Sequence, residues 1–180
     1  MLYIAAAPAA GELHDAAWEL LYSLLGRIGL EKKEIFREKS GKPYVAGNEY
    51  FFSLSHTEGA VCCVVSTNVE KALDDVIVID EPISSVGIDI ECIEREANFA
   101  AIAKGFFTEN EREFLKNDET AERFYQIYTA KEALVKASGE GLAGMRKQKS
   151  VSETDGIYSY DLALNGRKYK MSVAIEKAAD

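Results

Sequence analysis

The most regular pattern of apolar and polar positions lies in the second half of the chain. Across residues 119–138, apolar side chains recur at spacings of three and four, the period of one face of an α-helix. Gly139 and Gly141 follow at once and predict a glycine-rich turn that ends this helix. A second stripe of the same period predicts an earlier helix over residues 15–28.

Strict alternation of apolar and polar residues, which is typical of strands, is clearest at residues 86–91. The apolar residues of this run are predicted to face the interior. Asp89 and Glu91 are two residues apart and therefore share the opposite face. Two carboxylates held side by side repel each other unless a cation lies between them, and a hard ion such as magnesium prefers oxygen ligands. The alternative is an ordinary polar outer face on a half-buried strand.

Shorter patterns predict the remaining elements. Further strands are expected at residues 2–6, 51–55, 61–66, 76–79, 157–164 and 168–175. Turn residues at 57–59 and at Asn165-Gly166 join four of these strands into two hairpins. A short helix over residues 97–104 is predicted to stop at Gly105. Thr108, with Glu111 three residues later, forms a capping box, which gives Glu111 a structural role in preference to a ligand role.

Each half of the chain thus combines a helix with several strands. We expect an α+β fold of two similar lobes related by a pseudo-twofold axis, with the active site in the groove between them. The predicted boundaries are residues 1–85 for the N-terminal lobe and 86–180 for the C-terminal lobe. The segment 67–85 is interpreted either as a lengthening of the hairpin before it or as a local lid.

Composition narrows the function classes. The 180 residues are 47% hydrophobic and 28% charged, as in ordinary globular proteins, and the net charge of -9 argues against nucleic-acid binding. No stretch has the length of a transmembrane segment, and the apolar start lacks the basic residues of a signal peptide. Cys62, Cys63 and Cys92 have no metal-ligand spacing, so buried free thiols in a reducing cytoplasm are expected.

Charged residues on the central helix are the strongest candidates for chemistry. Glu132 and Lys136 are four residues apart and stand together on one flank of the helix. Taken alone, such a pair is more often a solvated surface ion pair than part of a site. Lys131 projects toward the middle of the apolar face, where an ammonium group must either snorkel to solvent or meet an anion.

Several blocks occur in an order that resembles one family, the 4'-phosphopantetheinyl transferases, and in particular their larger, two-lobed type. The blocks are Gly-Lys-Pro at 41–43, Ser-Leu-Ser-His at 53–56, Gly-Ile-Asp-Ile-Glu at 87–91, Phe-Phe-Thr with Glu111 at 106–111, Lys-Glu-Ala with Lys136 at 131–136, and Gly-x-Gly-Leu at 139–142. The small single-lobe carrier-protein synthases, which form trimers, share the Lys-Glu-Ala helix. The blocks around Lys42 and His56 favour a monomer of the larger type.

The resemblance implies transfer of 4'-phosphopantetheine from coenzyme A to a serine of an apo acyl or peptidyl carrier protein, with release of adenosine 3',5'-bisphosphate. It also implies that magnesium is held by Asp89, Glu91 and Glu132. Coenzyme A would be contacted by Lys42, Ser55, His56 and Lys136. Glu132 would also accept the serine proton, and Lys136 would stabilise the leaving phosphate.

Departures from the family pattern keep alternatives open. Tyr128 stands where the family usually has tryptophan, and we interpret it as a packing residue. The early helix has only Arg27 near its end, which leaves the 3'-phosphate of coenzyme A without an assigned contact. His14 is interpreted as an ordinary polar residue at a helix start. The alternative functions are a non-catalytic module that binds carrier proteins or nucleotides, and a magnesium-dependent enzyme acting on another diphosphate.

Overall fold

A computed structural model describes residues 1–80, 83–116 and 120–177. Its strands are β1 (Leu2–Pro8), β2 (Ile35–Arg37), β3 (Pro43–Val45), β4 (Tyr50–Thr57), β5 (Ala60–Thr67), β6 (Ile77–Ile79), β7 (Ile83–Cys92), β8 (Ile157–Leu164) and β9 (Arg167–Lys177). Its helices are α1 (Leu13–Ile28), α2 (Phe99–Phe106), α3 (Glu109–Lys116), α4 (Ala121–Ser138) and α5 (Gly141–Met145), with 3-10 turns at Ala46–Asn48 and Val151–Glu153. The predicted α+β class is confirmed.

The first sheet has the antiparallel order β4-β5-β1-β6, and α1 covers one of its faces. Every residue of β5 is buried, because its alternate side chains enter two different cores. Cys62 faces the second sheet, whereas Cys63 faces α1. All three cysteines of the chain are free and buried, as predicted.

The second sheet has the antiparallel order β7-β9-β8, and α4 packs across it. Its β8–β9 hairpin turns at Asn165 and Gly166, with φ angles of 49° and 79°. Two consecutive left-handed residues are what a tight two-residue hairpin requires, so the predicted turn is confirmed.

A common apolar core joins the two sheets. It is formed by the inward faces of β1, β5, β7 and β9, and it includes Val86, Ile88 and Ile90, none of which is exposed. The predicted inward face of β7 is therefore confirmed. The edge strand of each sheet, β4 in the first and β7 in the second, lies beside the other, since Ile88 N donates to Ser53 Oγ at 3.2 Å.

Three predicted boundaries need correction or lie outside the described residues. α2 begins at Phe99 because Asn98 caps it, and it continues through Gly105 to Phe106, whose ring borders the apolar core of α2, α3 and α4. Gly139 ends α4 in a left-handed conformation as predicted, but Gly141 then begins α5 and is not part of an open turn. α4 is capped by Thr120, and the predicted start at residue 119 falls outside the described residues.

Residues 68–80, the described part of the segment between β5 and β7, neither lengthen the hairpin nor form a lid. Strand β6 of this segment pairs with β1, at the edge of the first sheet opposite β4. Tyr3 fixes the start of the segment, because its hydroxyl donates to Val69 O at 3.0 Å and accepts from Lys71 N at 2.6 Å. None of the helices in the described part of the chain combines the length and apolarity that a membrane crossing needs.

Candidate active site between the two sheets

Gly87 lets helix α4 approach strand β7 very closely. A Cβ atom at this position would lie 2.0 Å from Ala133 O and 2.5 Å from Ala137 N, so no other residue type fits without displacing the helix backbone. Gly87 shares its face of β7 with Asp89 and Glu91. The close approach therefore brings α4 over the acidic face of the strand.

Asp89 is the best-buried carboxylate on this face, with 5% of its surface exposed. Its Oδ1 accepts hydrogen bonds from Lys136 Nζ at 2.8 Å and from Ser55 Oγ at 2.8 Å. Its Oδ2 is buried and has no hydrogen-bond partner in the part of the chain that the structure describes. One oxygen of Asp89 is thus held by the protein, while the other keeps its full capacity to bind a donor or a cation.

Lys136 links the two sheets at this point. Its ammonium donates to Ile88 O at 2.9 Å and to Leu54 O at 3.4 Å, one carbonyl from each edge strand. Burial acts to lower the pKa of Lys136, but the adjacent Asp89 carboxylate outweighs it and holds that pKa above its ordinary value. The alternative of a solvated Glu132–Lys136 surface pair is wrong for Lys136, because its ion pair is with Asp89.

Glu91 and Glu132 are both close enough to Asp89 for its negative charge to affect their pKa values. Burial, together with the charge of Asp89, raises the pKa of Glu91 to about 7. The same two causes raise the pKa of Glu132. Glu91 Oε2 accepts from Thr57 Oγ1 at 3.0 Å, and Glu132 Oε1 accepts from Tyr128 Oη at 3.3 Å.

Among the described residues, no three acidic, histidine or cysteine side chains are close enough together to hold a metal ion.

A cavity of about 300 Å³ opens next to Lys136, between the start of α1, β4 and the end of α4. Of the residues predicted to bind coenzyme A, its lining includes Lys42, His56 and Lys136, and Gly139 and Gly141 after α4 also line it. The described lining does not include Asp89, Glu91 or Glu132. Lys136 is therefore the side chain that connects the cavity with the acidic face of β7.

Lys42 closes one side of the cavity by reaching the end of α4. Its ammonium donates to Ser85 Oγ at 2.6 Å and to the carbonyl of Ala137. Burial lowers the pKa of Lys42, and the charge of Glu38 opposes this effect. His56 is exposed on β4, and its pKa is lowered by partial burial and by the neighbouring Lys136. Ser55 points away from the cavity toward Asp89.

The lining also includes His14, Trp18 and Arg37, to which the sequence analysis assigned no role in binding. The rings of His14 and His56 lie edge to face with their centroids 6.5 Å apart. Trp18 Nε1 donates to His14 Nε2 at 3.2 Å, one helical turn away. The sequence feature that could have indicated this pair is the spacing of four residues between His14 and Trp18, which places both on one side of α1. Arg27 forms its ion pair with Asp75.

Comparison with known proteins identifies the family. Residues 85–173 match the family model of the 4'-phosphopantetheinyl transferase superfamily. The chain is similar to 4'-phosphopantetheinyl transferase HetI of Nostoc sp., with 29% identity over 138 residues, 71% of this chain and 52% of the relative. It is also similar to 4'-phosphopantetheinyl transferase AcpT of Salmonella typhi, with 29% identity over 128 residues, 69% of this chain and 59% of the relative.

Residues 85–173 therefore match the 4'-phosphopantetheinyl transferase superfamily, and the resemblance inferred from the motifs of the chain is confirmed. The chain spans only somewhat more than half the length of these two curated relatives.

Proposed function

We propose that this protein transfers 4'-phosphopantetheine from coenzyme A to a serine of an apo acyl or peptidyl carrier protein, releasing adenosine 3',5'-bisphosphate. The observation that carries the proposal is the position of Lys136. It lines the cavity that contains Lys42 and His56, and it is hydrogen-bonded to Asp89 at 2.8 Å. A basic cavity beside a carboxylate cluster suits a substrate whose pyrophosphate must meet both groups.

The carboxylates fit a divalent cation by their chemistry. Asp89 Oδ2 is buried and has no hydrogen-bond partner among the described residues, and burial together with the charge of Asp89 raises the pKa of both Glu91 and Glu132. A cation would satisfy the free oxygen and remove this repulsion, and carboxylate oxygens are the ligands that magnesium prefers. We infer that Asp89, Glu91 and Glu132 hold magnesium, and that the ion would have to draw these carboxylates together, because the described side chains do not form a three-ligand cluster without it. Bound there, the ion would neutralise charge on the pyrophosphate of coenzyme A.

The remaining roles follow from the positions of the side chains. Glu132 in its ionised form would accept the proton of the carrier serine, as a general base must. Lys136 would stabilise the leaving phosphate, which requires its ammonium to exchange at least one of its present acceptors for the substrate. Lys42 and His56 would contact the nucleotide phosphates. Ser55, for which the family resemblance implies a coenzyme A contact, engages Asp89 through its hydroxyl.

We also propose the two-lobed architecture of the larger family members, with lobes at residues 1–85 and 86–180 related by a pseudo-twofold axis. Support comes from the two sheets, each of which carries one long helix on the face turned away from the shared core. A cytoplasmic monomer acting on carrier proteins is the form that this proposal predicts.

The test is an assay of carrier modification by mass spectrometry, with an apo carrier protein, coenzyme A and magnesium. Glu132→Ala is expected to slow the gain of phosphopantetheine mass by about 100-fold or more, the range for loss of a general base. Glu122→Ala, an exposed carboxylate in the first turn of the same helix, is the matched control and should retain the native rate. A native rate for Glu132→Ala contradicts the proposal, and carrier binding without any mass gain supports the non-catalytic alternative.

A further inference from the structure

Two hydroxyl groups of β4 reach across the gap between the sheets to the acidic face of β7. Ser55 Oγ donates to Asp89 Oδ1 at 2.8 Å, and Thr57 Oγ1 donates to Glu91 Oε2 at 3.0 Å. Both donors are 6% exposed. The spacing of two residues on each strand is the same, so each hydroxyl of β4 serves one carboxylate of β7.

The third carboxylate has a hydroxyl partner of its own on α4. Tyr128 Oη donates to Glu132 Oε1 at 3.3 Å from one helical turn away. The sequence interpretation of Tyr128 as a packing residue is therefore incomplete, because a tryptophan ring at this position would carry no hydroxyl. Tyrosine at this position places a hydroxyl, in place of an indole N–H, within hydrogen-bonding distance of Glu132.

Hydrogen-bond donors that contact only one oxygen of a carboxylate have a definite effect on the group. They restrict rotation of the group and leave the other oxygen available for a further ligand. Asp89 shows this arrangement, since Oδ1 has two donors and the buried Oδ2 has none. Hydrogen bonds that orient ligating groups in this way typically change metal affinity by about 10- to 100-fold.

We propose that Ser55, Thr57 and Tyr128 are positioning residues that orient Asp89, Glu91 and Glu132, respectively, as ligands of a divalent cation. The inference rests on the proposed function and extends it, because it assigns part of the metal site to the first half of the chain. The N-terminal sheet then contributes to the carboxylate site as well as to the cavity.

Strand β4 also provides a matched control. Ser53 is on the same face as Ser55 and Thr57 and is similarly buried, at 7% exposed. Its hydroxyl accepts from Ile88 N at 3.2 Å and does not contact a carboxylate in the described structure. Removing it alters the contact between β4 and β7 without removing a donor from a proposed metal ligand.

The experiment measures Mn²⁺ affinity of the full chain without substrate, by electron paramagnetic resonance of the free ion. Ser55→Ala, Thr57→Val and Tyr128→Phe are each expected to weaken Mn²⁺ binding by about tenfold or more. Ser53→Ala is expected to stay within about twofold of the wild type, since it leaves all three carboxylate contacts in place. Ser55→Thr and Thr57→Ser keep the hydroxyl and should restore most of the affinity. Thermal unfolding of each variant shows that it is folded at the temperature of the titration.

Affinity that is unchanged in the three variants, or reduced equally in Ser53→Ala, overturns this inference while the proposed transferase function stands. Absence of Mn²⁺ binding by the wild type overturns the inference together with the proposed metal site. Loss in the three variants with rescue by Ser55→Thr supports it, because a purely structural defect would not follow the presence of the hydroxyl.

Discussion

Lys131 and Glu111 form an ion pair that is closed to solvent, with Nζ and Oε2 3.2 Å apart and exposed fractions of 0% and 4%. The carboxylate of Glu111 also accepts from Thr108 N at 2.7 Å and from Val151 N at 2.9 Å. The Glu111 side chain thus completes the predicted capping box of α3. It also attaches α4 and the segment after α5 to α3. Lys131 meets an anion, which was one of the two outcomes expected for an ammonium on the apolar face.

Replacing Lys131 by methionine should destabilise the fold strongly, because it leaves the Glu111 carboxylate buried without its cation. Loss of one partner from a buried ion pair costs about 3–5 kcal/mol. Urea titration gives the free energy of unfolding of the wild type and the variant, and the difference between them is this loss of stability. The matched control is Lys116→Met, which removes an ion pair of 3.0 Å whose side chains are 73% and 64% exposed. That control should cost less than about 1 kcal/mol, and equal losses in both variants would contradict the importance of burial.

Gly87→Ala should also destabilise the protein, because the added Cβ meets the backbone of α4 at Ala133 and Ala137, which cannot rotate away. Overpacking of this kind costs about 1–3 kcal/mol. Gly105→Ala in α2 is the control, since a Cβ there has no neighbour within 4 Å, and alanine favours the helix by about 1 kcal/mol. Chemical denaturation should show a lower free energy of unfolding for Gly87→Ala and a higher one for Gly105→Ala than for the wild type. A stabilised Gly87→Ala protein would be inconsistent with the close contact of β7 and α4.

Local chemistry explains which parts of the fold the sequence predicts well. The Asn165-Gly166 turn, the inward face of β7 and the helical period of α4 depend on neighbours in the chain, and all three occur as expected. Gly105 shows where the same rules fail. Glycine ends a helix only when the chain there adopts a left-handed conformation, whereas α2 continues through Gly105 to complete its apolar contacts.

The site depends on contacts that no local pattern specifies. Periodicity predicts that Asp89 and Glu91 share a face, but not that this face meets β4 of the other sheet. For the same reason, spacing pairs Lys136 with Glu132, whereas the fold pairs it with Asp89, 47 residues earlier in the chain. His14 belongs to the cavity only because α1 packs with its first turn beside β4.

Stability should depend on pH through Glu91. Burial and the charge of Asp89 raise its pKa from 4.5 to about 7 in the folded protein, so the folded state binds the proton more tightly than the unfolded chain does. The contribution to stability is therefore full below pH 4.5 and is lost as the pH rises to about 7. Each unit of pKa difference corresponds to about 1.4 kcal/mol. Denaturation at several pH values in a chelating buffer should show this decline.

Glu91→Gln is the control for the pH experiment, since glutamine can still accept from Thr57 but does not titrate. The difference in unfolding free energy between wild type and variant isolates Glu91 from other groups, and it should change across this pH interval. Magnesium at pH 7 should stabilise the wild type more than the variant, because a cation bound to the ionised site favours the folded state. Parallel pH curves for the two proteins would show that Glu91 does not titrate in this range.

Lys42→Met should loosen the segment of β2 and β3 and weaken nucleotide binding in the cavity. The ammonium of Lys42 attaches this segment to the end of α4 through Ser85 and the carbonyl of Ala137. Hydrogen–deuterium exchange over residues 35–45 should therefore become faster in the free protein. Affinity for adenosine 3',5'-bisphosphate, measured by calorimetry, should fall by about tenfold, as expected for one charged hydrogen bond. Lys39→Met, an exposed lysine of the same segment, should leave both measurements unchanged. Equal effects of the two substitutions would indicate that net charge governs binding, and not the position of Lys42.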